Sequence, residues 1–478
     1  MIQANLLTTF YGVGQGLFCS NQINFVCPKD KKRYPFSFIY DCGMFTGRTL
    51  LETLLKTRVN EFWKSQEYVL GSQNIVNLFV LSHFHFDHYS GLKYLLRGNK
   101  KIEVVIIPYL KPLERLLVAL EEWLILSGMV PDDNLLESVN FILNPEDFFK
   151  DKVSLLILLE SNDKFESLNG DIEEIMGERD FNRDFISEVK RYLNINGNEN
   201  GKIIIRTSPL SIRRYDLWKL DFFYPKDEVL AEKMEEFEKL LGEKICKELY
   251  KKVPKGVCEK LYKEENLIIN QVKRIKTKIR EKKVSFVFEF KDKDYPQVSI
   301  NLDDLVKGAE AVLQKAKIYS RWRNHASIVC CHFPINLGKI KSYVCEGIGN
   351  GIFIGIFKDF EVMIKKEIGK ICGNAMAQLY TGDIPFDLLK KVMNVLDKKG
   401  YCLFQVPHHG SGGGYWNSQM PNQIKSWYWI ISAGIRNVYG HPSSDVIRDI
   451  CSYWRIPIWV NESMNFSLKT IVEWGIKS

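Results

Sequence analysis

Alternating apolar and polar positions in the first third of the chain predict several strands around one helix. The glycine-rich stretch from Gly12 to Gly16 predicts a turn, and the periodicity from Leu50 to Phe62 predicts a helix. The predicted strands are Leu6 to Phe10, Phe36 to Asp41, Val76 to Leu81 and Val104 to Ile107. In this part of the chain, strands therefore precede and surround the helix.

The last third of the chain repeats this order of strands and helices. The predicted strands are one that ends near Tyr380, then Cys402 to Val406, Trp427 to Ser432 and Pro457 to Val460. The predicted helices are Pro385 to Asp397 and Asp445 to Trp454. Because both thirds combine strands with amphipathic helices, we predict an α/β fold, a layered sandwich with helices on its outer faces.

The middle of the chain, residues 226–322, has a more charged composition. The segment EKMEEFEKLLGEKICKELYKK predicts a charged amphipathic helix, which Pro254 and Gly256 would end. A second helix is predicted from Glu264 to Lys283. We interpret residues 226–322 as an inserted, charged and largely helical segment.

Composition and charge place the chain among globular proteins. Of its 478 residues, 45% are hydrophobic and 26% are charged, which excludes wholesale disorder and low-complexity architectures. The net charge is +8, and residues 273–283 contribute seven basic side chains against one acid, Glu281. Such a run is usually a solvated surface, but near a site that handles phosphates it would favour nucleic-acid binding.

Cysteine usage and hydropathy indicate a cytoplasmic protein. The eleven cysteines are odd in number and form no CxxC pair, which favours reduced thiols over a disulfide scaffold. No apolar run approaches the length that a membrane span needs, and the N-terminal residues do not resemble a secretory signal. We therefore predict no membrane span and a cytoplasmic location.

Three of the eight histidines lie in one motif, HxHxDH, directly after the predicted strand that ends at Leu81. In extended chain, the spacing of His83 and His85 points both imidazoles to one side. Asp87 and His88 follow where the chain is expected to turn into a helix. Imidazole and carboxylate groups suit Zn²⁺ or Mn²⁺, and four such groups can serve two ions. The motif therefore predicts a metal site.

Three further polar motifs follow predicted strands in the last third of the chain. Asp383 ends the motif YTGD, and His408 and His409 lie together in PHHGS. His441 lies in the motif YGHP, one strand later. Because the carboxyl ends of strands gather catalytic groups in α/β proteins, we predict that these side chains join the HxHxDH motif in one site.

Together these motifs resemble the metallo-β-lactamase superfamily and, within it, the nuclease-type domain of ComEC-like DNA-uptake proteins. The resemblance implies an αββα sandwich, and it covers residues 1–110 and 323–478. It also implies that residues 1–225 and 323–478 form a single catalytic domain interrupted by the segment 226–322. The stretches that carry it are Gly12 to Gly16, Ile39 to Gly43, His83 to His88, Tyr380 to Asp383, Val406 to Ser411 and Ser432 to Pro442.

The resemblance also implies a role for the polar residue of each motif. The implied ligands of two divalent ions are His83 and His85 for the first, Asp87, His88 and His408 for the second, Asp383 as a bridge, and His325 or Asn324 as a further ligand of the first. Asp41 would hold an imidazole from behind. His409 would orient His408 or contact the substrate, and His441 would contact a phosphate or donate a proton.

The function implied is hydrolysis by a metal-activated water, with Asp87, His409 and His441 as the catalytic side chains. We expect a nuclease or phosphodiesterase that acts on DNA, in uptake, repair or defence against foreign DNA. One alternative is hydrolysis of a small molecule, such as a cyclic nucleotide, another phosphodiester or a lactone. A second is a nucleic-acid-binding or partner-binding protein with a structural metal site.

Positively charged side chains would contact a DNA substrate. The expected contacts are Arg436, Lys273, Arg274, Arg280 and Lys283. The inserted segment is also a candidate docking site for a protein partner.

Overall fold

The computed structural model of the chain describes most of the residues before 250 and after 377, and fewer between them. The described residues are 2–27, 31–45, 48–71, 74–127, 132–162, 165, 181, 183–195, 203–226, 228–251, 272–280, 283–291, 296–307, 327–335, 347–349, 377–396, 400–435 and 437–474. His325, Asn324 and Arg436, which the sequence singled out, lie outside them.

Among the described residues, nine strands lie in the first half of the chain and ten in the second. Those of the first half are Ile2–Phe10 (β1), Phe18–Val26 (β2), Arg33–Cys42 (β3), Ile75–Val80 (β4), Lys101–Pro108 (β5), Val153–Glu160 (β6), Ile203–Thr207 (β7), Leu210–Arg214 (β8) and Trp218–Phe223 (β9). Those of the second half are Val272–Arg280 (β10), Lys283–Phe290 (β11), Val298–Asn301 (β12), Val329–Pro334 (β13), Gly347–Gly349 (β14), Ala377–Tyr380 (β15), Tyr401–Gln405 (β16), Ser426–Ser432 (β17), Ile456–Val460 (β18) and Phe466–Trp474 (β19).

The helices of the described residues lie between these strands, singly or in groups of two or three. They are Arg48–Leu70 (α1), Phe86–Tyr89 (α2), Leu92–Leu95 (α3), Pro112–Leu126 (α4), Asp132–Leu143 (α5), Pro145–Phe149 (α6), Phe185–Tyr192 (α7), Glu228–Tyr250 (α8), Phe386–Met393 (α9), Met420–Gln423 (α10) and Ser444–Ser452 (α11). Two short 3₁₀ helices, Pro407–Gly410 and Gly413–Tyr415, follow β16.

Contacts between residues divide the chain into two compact units. The first unit contains Met1–Pro108, Asp151–Lys226 and Ala326–Ser478, and the second contains Tyr109–Lys150 and Asp227–His325. The second unit thus includes the inserted segment together with α4, α5 and α6, which the sequence analysis had kept with the catalytic domain.

Two large sheets form the first unit. Among the described residues, one sheet has nine strands in the order β14-β19-β1-β2-β3-β4-β5-β6-β7, and the other has seven in the order β18-β17-β16-β15-β13-β9-β8. The strands from β3 to β7 pair in parallel, and so do β15, β16, β17 and β18. The mixed α/β class predicted from the sequence is confirmed.

One hydrophobic core lies between the inner faces of the two sheets. Phe25 of the nine-stranded sheet packs edge-on against Trp218 of the other, with ring centroids 6.5 Å apart. Both rings belong to a buried cluster with residues of both sheets, such as Phe38 and Leu403. A second cluster covers the outer face of the seven-stranded sheet, where α9 and α11 pack. This arrangement aligns the ends of strands from both sheets along one edge.

The basic stretch of the second unit differs from its predicted conformation. Residues 272–280 and 283–290 are antiparallel strands, β10 and β11, in which Arg280 is paired with Lys283. The helix predicted from Glu264 to Lys283 is therefore wrong over these residues. Val272 and Ile275 are buried, and Phe286 and Phe288 of β11 are buried with them, because β-branched and aromatic side chains suit a half-buried sheet. The described part of the inserted segment thus contains three strands, β10, β11 and β12, beside the helix α8.

Candidate metal centre

The predicted polar motifs of the first unit meet at the carboxyl ends of parallel strands from both sheets. Asp41 lies near the end of β3, and His83 follows β4, which pairs in parallel with β3. Asp383 follows β15, and His408 follows its parallel neighbour β16. Strand ends that share one edge bring residues distant in sequence within a few ångströms of one another.

After β4 the chain turns into the short helix α2, which packs closely against the residues that follow β3. Asp87 and His88 lie on α2, and His85 precedes it in extended conformation. Gly43, after β3, packs against the backbone of α2, and a Cβ there would lie 2.3 Å from the carbonyl carbon of Asp87. The carbonyl of Asp87 accepts a hydrogen bond from the backbone of Leu17, at 3.1 Å. Glycine at position 43 therefore allows the approach that places Asp87 and His88 in the site.

Asp41 orients two imidazoles, that of His88 directly and that of His83 through Ser82. One carboxylate oxygen accepts the backbone N–H of Ser82 at 2.7 Å, and the other accepts the Ser82 hydroxyl at 2.6 Å. His88 donates its Nδ1–H to the same Asp41 Oδ2 at 2.8 Å. Since the hydroxyl proton of Ser82 is given to Asp41, Ser82 accepts from Nδ1 of His83 at 2.9 Å. In both rings Nε2 is therefore the nitrogen that faces the site.

Asp383 lies on a turn in which three successive backbone N–H groups are hydrogen-bonded to side chains. The Oε1 of Gln405 accepts the backbone N–H of Thr381 at 2.7 Å and that of Gly382 at 2.8 Å. The backbone N–H of Asp383 donates to Ser327 Oγ at 3.1 Å. Gly382 has φ of +55°, and a Cβ there would lie 2.7 Å from that of Ser82. The turn thus lets a buried carboxylate lie directly beside the histidines.

His408 and His409 point in different directions because both have left-handed backbone conformations, with φ of 46° and 55°. The Nδ1–H of His409 donates to the carbonyl of Ser432 at 2.7 Å, which directs its Nε2 towards Asp87 Oδ2, 3.1 Å away. His408 Nε2 lies 3.9 Å from Asp383 Oδ2, and its ring packs on Tyr415. The structure therefore places His409, and not the predicted ligand His408, in the candidate set with Asp87 and His88. Left-handed φ at two successive non-glycine residues is strained and is typical of functional sites.

The spacing of these nitrogen and oxygen atoms suits divalent cations. Two ligands of one tetrahedral zinc ion lie roughly 3.3 Å apart, given bonds of about 2.0 to 2.1 Å. His83 Nε2 lies 3.0 Å from His85 Nδ1, and His88 Nε2 lies 3.5 Å from Asp383 Oδ1. His88 Nε2 is buried, and among the described residues it makes no hydrogen bond. A nitrogen that faces carboxylates at ligand distance without bonding to them fits a metal centre.

Two overlapping sets of side chains could hold an ion. One set is His83, His88 and Asp383, and the other is Asp87, His88 and His409. Within each set, the candidate ligand atoms all lie within 4.8 Å of one another. Asp383 Oδ2 is 3.9 Å from His83 Nε2 and 3.7 Å from His409 Nε2, so this carboxylate contacts both sets.

The electrostatics of the cluster also favour a cation. Burial lowers the pKa of His88, but the carboxylates of Asp383, Asp87 and Asp41 outweigh it, so this pKa lies well above its usual value. Burial also opposes ionisation of Asp383, yet His409 and His88 hold the pKa of its carboxyl well below its usual value. The buried carboxylate of Asp383 is thus ionised and needs positive charge beside it, which a divalent ion would supply while the imidazoles give up their protons.

His441 lies at the rim of this cluster. Its ring centroid is 5.3 Å from that of His408, and it is half-buried. Burial, followed by the nearby His409, lowers the pKa of His441 to about 4. The ring is therefore neutral at pH 7 and can present an N–H group to a ligand.

Four of the five basic residues predicted to contact DNA belong to the second unit: Lys273, Arg274, Arg280 and Lys283. Lys273 is exposed, whereas the guanidinium of Arg274 donates to Asn144 Oδ1 at 3.0 Å and forms an ion pair with Asp147. Lys276 pairs with Glu289 at 2.6 Å. Part of the positive charge is thus neutralised within that unit. For Arg280 and Lys283, only the backbone pairing is described.

Sequence reasoning missed Ser82, Ser327, Gln405 and Ser432, which orient the predicted groups. Ser82 and Gln405 do adjoin the motifs, but serine and glutamine are common at such positions and carry no distinctive spacing. Only the strand register identifies their partners.

Neither a family model nor a curated protein matches this chain.

Proposed function

We propose that the chain is a metal-dependent hydrolase of the metallo-β-lactamase type, with an αββα sandwich as its catalytic domain. The observation that carries the proposal is the meeting of HxHxDH, Asp383 and the adjacent histidines at one edge of two sheets. The shared core of the two sheets, with α9 and α11 outside, supports the sandwich architecture.

Two divalent ions, zinc or manganese, fit the side chains better than one. His83 and His85 would hold the first ion, and Asp87, His88 and His409 or His408 the second, with Asp383 between them. Because Asp383 lies within 4 Å of nitrogens of both groups, its two oxygens suit a bridging role. Imidazole and carboxylate donors without thiolates are consistent with either metal.

When bound, the ions would activate a water molecule near neutral pH and neutralise charge on phosphoryl oxygens. The residues of the chain have the remaining tasks. Asp41 and Ser82 keep His83 and His88 in the tautomers that present Nε2. Ser432 keeps Nε2 of His409 directed at Asp87. His441, at the rim, would contact a phosphate oxygen or the leaving oxygen.

The substrate we propose is DNA, cleaved as a phosphodiester, in a cytoplasmic role that processes or destroys foreign DNA. The PHHGS and YGHP motifs support this choice through their resemblance to ComEC-like domains, and the net charge of +8 favours a polyanion. The free thiols of the described cysteines agree with a reducing compartment. Among the described helices, none is long and apolar enough to cross a membrane.

A metal-supplementation assay tests the proposal. The purified chain is treated with chelator, reloaded with Mn²⁺, Zn²⁺ or Mg²⁺, and incubated with linear single-stranded, linear double-stranded and circular DNA. We expect cleavage with Mn²⁺ or Zn²⁺ and none in chelator. Hydrolysis of small phosphodiesters or lactones without DNA cleavage would favour the small-molecule alternative, and metal binding without any hydrolysis would favour the structural one.

Substitutions connect that activity to the cluster. Asp87→Ala and Asp383→Ala should each lower bound metal, measured by elemental analysis, and abolish cleavage, because each removes a carboxylate from the site. The matched control is Asp387→Asn, which changes an exposed carboxylate on the first turn of α9. Full metal content and activity in both alanine variants would overturn the two-metal proposal.

A further inference from the structure

The loop between β17 and α11 displays apolar side chains beside the candidate metal centre. Tyr439 is 41% exposed and Val438 is 89% exposed, although large apolar side chains are usually covered. The ring of Tyr439 stacks on that of His441, with centroids 6.0 Å apart and planes at 21°. His441 in turn lies 5.3 Å from His408. Two ring contacts thus connect an exposed aromatic face with the centre.

Asn437 holds this loop in position. Its side-chain oxygen accepts the backbone N–H of His441 at 2.9 Å and that of Tyr439 at 3.2 Å. Its amide donates to the carbonyl of Gly434 at 2.6 Å. Because these bonds fix the backbone at Tyr439 and His441, the ring is presented to solvent in a defined position, and a ligand would lose little loop entropy on binding it.

We infer that Tyr439 is a stacking platform for an unpaired base next to the phosphate held at the metal centre, so that the preferred substrate is a single-stranded nucleic acid. This inference rests on the proposed hydrolase function. A flat aromatic face accepts any base by stacking, and single strands can turn their bases out onto it. In a duplex the bases are stacked on one another, and the phosphate backbone would reach the site without a base on Tyr439.

The test compares variants of the full chain on fluorescently labelled oligonucleotides of one sequence, single-stranded or duplex, with the metal ion that supports cleavage by the wild type. Tyr439→Ala should lower kcat/KM for the single strand by roughly fivefold to 150-fold, the range that corresponds to loss of one base–aromatic stack. Tyr439→Phe, which keeps the stacking face, should remain close to wild type. The duplex should show a smaller loss with Tyr439→Ala.

Trp454 provides the matched control, because this aromatic residue is 82% exposed and lies at the amino ends of the strands, opposite the ends that carry the site. It precedes β18, whose parallel neighbour β17 carries the site at its carboxyl end. Trp454→Ala should leave cleavage unchanged. Elemental analysis should show that Tyr439→Ala keeps its metal, which separates a lost platform from a collapsed centre.

Oligonucleotides with one abasic position, moved along the strand, give the decisive readout. At the position whose base stacks on Tyr439, the loss of kcat/KM caused by removing the base and the loss caused by Tyr439→Ala should not add up in the combined experiment. Additive losses at every position would overturn the inference, and so would an equal loss in Tyr439→Phe, which would indicate a hydroxyl contact. If Tyr439→Ala matches wild type while wild type cuts single strands, the inference fails and the proposed function stands. If wild type cuts no nucleic acid, both fail.

Discussion

At the scale of single residues, Asp41 decides which nitrogen of His88 faces the site. The carboxylate is buried and accepts three hydrogen bonds, two from Ser82 and one from His88. Burial raises the pKa of Asp41, and the contacts with His88 and Ser82 act against that rise. The residue contributes no atom to the candidate ion sites, yet its acceptor oxygens set their geometry.

Asp41→Asn tests that role. In the wild type, a carboxylate oxygen of Asp41 accepts the His88 Nδ1–H. In the variant an amide N–H group would take the place of that oxygen and would itself need an acceptor, so the imidazole would change tautomer and carry its proton on Nε2. We expect metal affinity to fall roughly tenfold to a hundredfold. Competition with a chelating dye measures it, and Ser82→Ala should show a smaller loss because Asp41 keeps His88. Unchanged affinity in Asp41→Asn would exclude the positioning role.

A second prediction separates auxiliary catalysis by His441 from metal binding. His441→Ala should keep its metal and lose about a hundredfold in turnover, the usual effect of removing an acid or an oxyanion contact. Since the pKa of His441 is lowered to about 4, a neutral N–H contact is favoured, and His441→Asn should then recover part of the rate. Metal loss in His441→Ala would instead make this residue a ligand.

At the scale of secondary-structure elements, the placement of α2 against β3 matters most. The carbonyl of Asp87, on α2, accepts the backbone N–H of Leu17 at 3.1 Å, and the backbone N–H of Gly91, just after α2, donates to the carbonyl of Cys42 at 2.8 Å. Both ends of the α2 region are thus attached to the strands behind it. Asp87 and His88 take their positions from these backbone bonds.

Gly43→Ala should push α2 away from β3. A Cβ at that position would overlap the backbone of Asp87 and His88, which cannot rotate away as a flexible side chain would. We expect loss of bound metal and a lower free energy of unfolding, by about 1 to 3 kcal/mol. Gly414→Ala is the control, because nothing lies within 4 Å of a Cβ there. Elemental analysis and urea unfolding would measure both effects, and wild-type metal content in Gly43→Ala would contradict the prediction.

The basic strand β10 carries a prediction about affinity for DNA. Lys273 and Lys278 are exposed, whereas Arg274 and Lys276 are engaged by acidic neighbours. If the two exposed lysines contact phosphates, the double variant Lys273→Gln with Lys278→Gln should reduce the slope of log affinity against log salt by about 1 to 2. The same double change at Lys239 and Lys247, exposed on α8, is the control. An unchanged slope would indicate a solvated surface or a protein-docking surface.

At the scale of the whole molecule, the core between the two sheets of the first unit contains a buried histidine, His332 of β13, whose ring centroid lies 4.9 Å from that of Phe38 on β3. His332 accepts a hydrogen bond from Trp218 Nε1–H at 3.2 Å, and its other nitrogen lies 3.0 Å from the Tyr380 hydroxyl. Burial lowers its pKa from 6.5 to about 3. The folded chain therefore keeps this imidazole neutral at pH values where an unfolded chain would protonate it.

This difference makes stability depend on pH in a defined direction. The contribution of neutral His332 is complete above about pH 6.5 and is lost progressively as the pH falls towards 3, because the unfolded chain gains the proton. His332→Gln keeps a donor and an acceptor but does not titrate. As the pH falls, its free energy of unfolding should therefore decrease less steeply than that of the wild type, and the two slopes should differ by up to about 1.4 kcal/mol per pH unit. Urea unfolding in chelator between pH 6.5 and 4 measures both slopes. Parallel slopes would contradict the prediction.

Local patterns in the sequence were sufficient for the elements that carry the site. The strands β3, β4, β16, β17 and β18 and the helices α9 and α11 lie within a few residues of their predicted bounds, because their apolar periodicity is regular and local. The structure brings together His83, His88 and Asp383, which the motifs predicted to lie in one site. The basic stretch was mispredicted because its alternation of lysine with isoleucine and threonine suits a strand, while its charge suggested a solvated helix.

The sequence by itself determined the mixed α/β class and the set of histidines and carboxylates, since both depend on residue type and short-range spacing. Only the tertiary structure decided that His409 joins Asp87 and His88 in one candidate set, that Asp41 and Ser82 select the tautomers, and that α2 packs closely against Gly43. These outcomes depend on distances between residues as far apart as 87 and 409. Only the packing of the two sheets against a common core sets such distances.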